Sequence, residues 1–166
     1  MNRMTETDAL KFLEQTPALV ERILQQIPAE AMKVRNLDEF SAVESLCHLR
    51  DIEIEGYGER IRRIIQEDKP SLPDLDGARL AIERDYNHQQ VGEALEAFRA
   101  ARQQNLELLR GLSAEQLARE GTLENVGLIS IEKLIEMMTE HDQGHLADLQ
   151  IIQRRAQRSL SDTAGV

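Results

Sequence analysis

Two histidines four residues apart, His141 and His145, are the residues of this chain whose type and spacing could do chemistry. They stand in the stretch SIEKLIEMMTEHDQGHLADLQII, which runs from Ser130 to Ile152. At about 100° per residue, Ile131, Leu134, Met138, Leu149 and Ile152 fall on one side of a helix, and both histidines share that stripe. An imidazole on a core face needs partners for its nitrogens. The i, i+4 spacing puts both rings on one side of the helix, about one turn apart, where they could share a metal ion. They could equally hydrogen-bond to carboxylates or backbone in a half-buried seam. Two ligands do not make a site, so on these residues alone both readings stand. Ser130 offers an N-cap, and Glu132 suits the positive end of the helix dipole.

The elements that must position these rings are expected to be helices. Four prolines, nine glycines and few aromatic residues, with many Leu, Ala, Glu, Gln and Arg, make a helix-favouring composition. A length of 166 residues suits one domain with a substantial core. Thirty acidic against twenty basic residues leave a net charge of -10, with a pI near 4.9. That argues against a nucleic-acid backbone as partner, because phosphate binding needs a basic footprint. The single cysteine, Cys47, allows no intramolecular disulfide and suits a reducing compartment. The start MNRMTETDALKF lacks the apolar run of a signal peptide, and no stretch approaches the length of a membrane span. A cytoplasmic protein with no membrane partner is the expectation.

Along the chain, Thr5 or Thr7 can cap a first helix, and Thr16-Pro17 predicts a kink or restart before ALVERILQQI. PAEAMKVRNLDEF reads as a connection with at most one helical turn. Ser41 and Glu44 form a capping box opening a long helix to about Gln66, with Val43, Leu46, Cys47, Ile54, Tyr57, Ile61 and Ile64 as its apolar stripe. His48 lies off that stripe, with Asp51, Glu55 and Glu59, and periodicity alone reads it as facing solvent. Cys47 reads as a small packing residue whose direction, about 100° from His48, makes joint coordination awkward. EDKPSLPDLDGARL, with two prolines and a glycine, is the clearest crossover loop, with a short helix through Ile82 to Tyr86 after it. His88, in the polar context YNHQQ, reads as a surface residue. A third long helix is expected from Gln89 to Leu112, its stripe Val91, Leu95, Phe98, Leu106 and Leu109 interrupted by Arg102. That arginine could snorkel outward, pair with a carboxylate, or face an internal pocket and bind an anion. Ser113 and Gln116 repeat the capping-box pattern for a short helix, and GTLENVGL is the connection to the last one. Asp142, about 100° round the helix from His141, reads as a rim or surface residue.

Four long amphipathic segments around one core predict an all-α four-helix bundle with short extra helices, over residues 1–156, and a flexible tail at 157–166. FSAVESLCHLRDIE in the second long helix and EHDQGHL in the last resemble the DinB-like (DinB/YfiT-like) superfamily of four-helix-bundle proteins, many of them regarded as metalloenzymes. The resemblance spans about Leu37 to Gln150 and includes the order of elements: H-L-x-D on a capped helix, a Pro-rich connection, an Arg-bearing helix, and H-x-x-x-H. Phe40 stands where the family often has a tryptophan, and His88 has no counterpart.

In that family three histidines typically hold the metal, and the matching positions here are His48, His141 and His145. The resemblance therefore turns His48 inward, against its periodicity, and makes Asp51, one turn on, a candidate to orient its ring. Three neutral imidazoles leave a position open for water or substrate and suit Zn or Ni first, with Fe or Co also compatible. The implied activity is a metal-dependent thiol S-transferase or hydrolase acting on a small electrophile, with a low-molecular-weight thiol as a potential cosubstrate and Arg102 as a candidate anion binder. The competing reading is a non-catalytic metal-binding or interaction protein, a homodimer whose seam could use Leu49 and Ile52.

Overall fold

A computed structural model describes residues 5–163; residues 1–4 of the N-terminal stretch and 164–166 of the expected tail lie outside the described residues. Helix α1 (Glu6–Leu24) starts where Thr5 accepts from the Asp8 N–H, and it does not break at Pro17. Thr16 is no N-cap: its hydroxyl donates to the Phe12 carbonyl one turn back, and the helix continues through the proline. Proline has no N–H, so the Leu13 carbonyl, four residues earlier, loses its helical donor. Arg102 supplies one instead, its Nη1 lying 2.8 Å away.

After a single 3-10 turn at Ala29–Ala31, α2 (Ala42–Asp51) opens on the expected box, with both Ser41–Glu44 hydrogen bonds in place. The second long helix then changes pitch. Ile52–Gly58 is π-helical, and α-helical turns resume in α3 (Glu59–Gln66). The wider turn shifts the phase of the side chains. Ile54, expected in the core, is 39% exposed, whereas Ile52 and Glu53 are buried. Leu49 and Ile52, the residues suggested for a dimer seam, are both consumed inside the fold.

The Pro-rich crossover carries strand β1 (Ser71–Leu72), helix α4 (Gly77–Glu83) and a 3-10 turn at Tyr86–His88, so its short helix begins earlier than expected. Helix α5 (Val91–Arg110) and the short α6 (Ala114–Leu117) follow, the latter with the Ser113–Gln116 box formed. GTLENVGL is a β-hairpin rather than a plain connection: β2 (Glu120–Leu123) pairs antiparallel with β3 (Gly127–Ser130) and parallel with β1. Its turn uses left-handed backbone at Asn125 and positive φ at Gly127. Helix α7 (Ile131–Thr163) begins at Ser130, whose hydroxyl accepts from the Lys133 N–H, and continues past residue 156.

The bundle has α1 and α2 each packed against both α5 and α7. Its apolar interior forms two clusters, one around Leu13, Leu106, Leu134 and Met138, the other around Val20, Leu46, Phe98 and Leu149. Between them each long helix contributes buried polar side chains: Thr16, Glu53, Arg102 with Asn105, and Asp142. Among the described residues no helix is long and apolar enough to cross a membrane.

Candidate metal centre

His48 on α2 and His141 and His145 on α7 meet. One ring nitrogen from each lies within 4.8 Å of the other two, and His48 Nε2 is 3.1 Å from His141 Nε2. The ring centroids are 4.5 to 5.2 Å apart. Tetrahedral ligands at 2.0–2.1 Å from zinc sit about 3.3 Å from one another, so the cluster is close to the size a metal needs. His48 Nδ1 and His145 Nδ1 are buried without hydrogen-bond partners. A seam of histidines satisfied by carboxylates or backbone would not leave them so. The three imidazoles fit a metal ion.

Burial, then the neighbouring His141, push the His48 pKa down to about 4. Burial, then His141 and His48, push His145 down to about 3. Both rings are therefore neutral at pH 7, as metal ligands must be. Without metal, their protonation in the unfolded chain near pH 6.5 is not matched in the fold, so the unfolded chain binds more protons and stability is lost as pH drops. The metal-free protein is expected to lose thermal stability progressively from about pH 6.5 towards pH 4, with a flatter dependence in His145→Ala. Melting curves across that range check it; a melting temperature independent of pH there would contradict the neutral-ring assignment.

Phe40 and Tyr57 flank the cluster, their ring centroids 5.3 Å from His48 and 5.8 Å from His141. Against the Phe40 side opens a cleft of about 300 Å³ that reaches Ala78, Asp148 and Ile151. Behind His48 stands Gly77, the first residue of α4. A Cβ built there would lie 2.5 Å from His48 Cε1 and 2.7 Å from Nδ1.

The residues expected to support the ligands are placed differently. Asp51 does not touch His48. It accepts from Arg50 at 2.6 Å, Arg84 at 2.7 Å and the Tyr86 hydroxyl at 2.6 Å, and so ties the crossover onto α2. Glu55, from the same flank, pairs with Arg84. Arg102 is not available to an incoming anion: it is 2% exposed and donates to Glu53 at 2.8 Å and to Asp142 at 2.7 and 3.2 Å. An anion arriving there would meet two carboxylates. Asp142 is no rim residue but 1% exposed, with Oδ1 3.8 Å from His141 Nδ1. Burial acts to raise its carboxyl, but His141 and Arg102 outweigh that and hold it below the usual carboxylate range.

Glu53 and Asn105 were invisible as partners in the sequence. Asn105 Nδ2 donates to the Glu53 carboxylate at 2.8 Å and to its carbonyl at 3.0 Å. The available signal was Arg102 itself, since a charge on an apolar stripe demands inward carboxylates. Cys47 is fully buried, burial pushes its thiol up to about 11, and it packs rather than coordinates. His88 lies away from the cluster, 2.7 Å from Asp85 Oδ1 on the surface.

No protein with a curated description matches the chain. Among solved structures it is similar to YfiT from Bacillus subtilis, described as a probable metal-dependent hydrolase with an unusual four-helix bundle topology. The TM-score is 0.84 at 17% identity, covering 93% of this chain and 91% of that one, a likeness of fold. The family model described as the DinB superfamily matches residues 13–149, which span both His48 and the His141–His145 pair, and the chain belongs to the DinB superfamily.

Proposed function

We propose that this protein is a metal-dependent hydrolase of a small electrophilic substrate, with His48, His141 and His145 holding one divalent transition metal, zinc first among candidates. The observation that carries the reading is the convergence of three imidazoles, one ring nitrogen of each within 4.8 Å of the other two, next to a cleft that shares Phe40 with the cluster. Three protein ligands leave a coordination position for a reactant. A metal held there supplies Lewis-acid activation of a water or a thiol. The protein's own residues do the rest: the imidazoles fix the site, and Phe40 and Tyr57 fence it, Phe40 also lining the neighbouring cleft.

Water is favoured over a thiol cosubstrate as the nucleophile. Arg102, the residue expected to bind an anionic cosubstrate, is already committed to Glu53 and Asp142. The cleft presents Asp38 and Asp148, with Glu39 already paired to Arg155, so it offers an anion no free cation among its lining residues. The description of YfiT as a metal-dependent hydrolase points the same way. The thiol S-transferase becomes the second reading.

Elemental mass spectrometry on untagged protein tests the proposal. About one transition metal per chain is expected in the wild type and none in a folded His141→Ala/His145→Ala variant, with ester or amide hydrolysis following the metal. Protein that stays empty after incubation with zinc and nickel would overturn it in favour of an interaction protein. Metal binding without hydrolysis or thiol transfer would leave a carrier.

A further inference from the structure

Arg102 needs one carboxylate, and it has two. Glu53 alone would neutralise it, and Glu53 is held independently by Asn105 through both its carboxylate and its carbonyl. Asp142 is therefore a second negative charge in a layer closed off by apolar clusters on either side, with Arg102 its ion-pairing guanidinium. The trio carries a formal charge of −1, from two carboxylates against one guanidinium. An uncompensated charge in such a place is costly unless a cation stands near it. On the open side of Asp142 is His141. The two Arg102 nitrogens grip the carboxylate in a fork, which fixes its plane, and the oxygen with the longer arginine contact, Oδ1, is the one facing His141 Nδ1. On its opposite edge the same ring turns Nε2 towards His48.

We propose that Asp142, oriented by Arg102, is a positioning residue for the metal centre: it receives the Nδ1–H of His141 and thereby keeps Nε2 free as the ligand atom, while its excess charge offsets that of the bound cation. The inference rests on the three-histidine reading. The 3.8 Å separation is an ion-pair distance, and the hydrogen bond requires the two atoms to close to within about 3.2 Å. The carboxylate acts through His141 and does not itself touch the ion. Asp142 neighbours a ligand in sequence, yet its part is set by Arg102 on α5 and by Glu53, which the π-helical segment turns inward.

Asp142→Asn separates this role from a purely structural one. Its amide can donate to His141 Nδ1, which moves the ring proton to Nε2, where it competes with metal. At the same time it leaves Arg102 and Glu53 as a balanced pair. The expected result is a 10–100-fold weaker zinc affinity, measured by competition with a chromogenic chelator, and an altered visible spectrum of the cobalt-loaded protein. The metal-free variant should also melt lower than metal-free wild type, because Arg102 stabilises the ionised carboxylate in the fold. A purely structural salt bridge predicts that lower melting temperature with unchanged zinc affinity and an unchanged cobalt spectrum, and that outcome overturns the proposal while leaving the metal site standing. Wild type that takes no metal removes both. Should Asp142→Asn not fold, nitrogen-15 spectra of zinc-loaded wild type decide: a protonated Nδ1 on His141 supports the assignment, and zinc on Nδ1 overturns it.

Discussion

Replacing Arg102 by methionine is expected to destabilise the protein by about 3–5 kcal/mol, the range for breaking a buried ion pair by removing one partner. Methionine fills much of the same volume, so the loss is electrostatic rather than a cavity effect. The variant leaves Glu53 and Asp142, both about 1% exposed, as two carboxylates facing each other without their cation. It also strips the donor from the Leu13 carbonyl, which Pro17 has already deprived of its helical partner. Urea unfolding of metal-free wild type and variant measures the difference. The Asp142 carboxyl, held below its usual range in the wild type partly by Arg102, should take up a proton more readily in the variant, so the gap narrows as pH falls through the carboxylate range. A loss below about 1 kcal/mol would mean that water or a rearranged side chain solvates the layer, and Arg102 would no longer be its keystone.

The bundle was legible because local rules and global fold agree at its helix ends. The Thr5 cap, the Ser41–Glu44 and Ser113–Gln116 boxes and the Ser130 cap all form as the sequence suggests. Leu95, Phe98, Leu106 and Leu109 of α5 and Ile131, Leu134, Met138 and Leu149 of α7 are buried where a periodicity of 3.6 places them, with Val91 and Ile152 half-buried. That argument fails where the period itself changes. The π-helical turn at Ile52–Gly58 swaps Ile54 outward and Ile52 inward, and it is sustained from outside the helix, by Asn105 bonding to the Glu53 carbonyl. Gly58 lets α5 come that close, since a Cβ there would lie 2.9 Å from both the Asn105 Oδ1 atom and the Glu53 carbonyl oxygen. No local propensity encodes such a contact.

The site was half legible for a related reason. His141 and His145 declared themselves by spacing, but His48 came only from the family resemblance, because a single-stripe reading assigns each helix one inward face. In a four-helix bundle a helix has two neighbours, and a side chain 100° from the main stripe can still point inside. Helix α7 packs on both α1 and α2, which is why Asp142 is as buried as Met138. Asp51 was misjudged from the same simplification. One turn along from His48, it faces the crossover and binds Arg84 and Tyr86 instead of the ring.

That crossover bears on the ligand through Gly77, and a single methyl there should have the largest effect on metal binding of any change outside the histidines and Asp142. Gly77→Ala is expected to weaken zinc binding by about 10–100-fold, as loss of a supporting contact at a metal site does. Alanine is no worse than glycine for the α4 backbone, so the helix itself should gain slightly. The cost falls on His48: the added Cβ would sit 2.5 Å from Cε1, closer than non-bonded carbons approach. Either α4 or the ring must give way. Asp51 ties Arg84 and Tyr86, at the end of the same crossover, firmly to α2, so the ring is the part that moves. His48 then leaves the position from which its Nε2 approaches His141, and two ligands on one helix remain. Zinc titration beside a thermal melt distinguishes this from general damage. Weaker binding with an unchanged melt supports the packing of Gly77 on His48 as the device that aims the third ligand. Unchanged zinc affinity would show that the crossover yields instead, and that His48 is held by α2 alone.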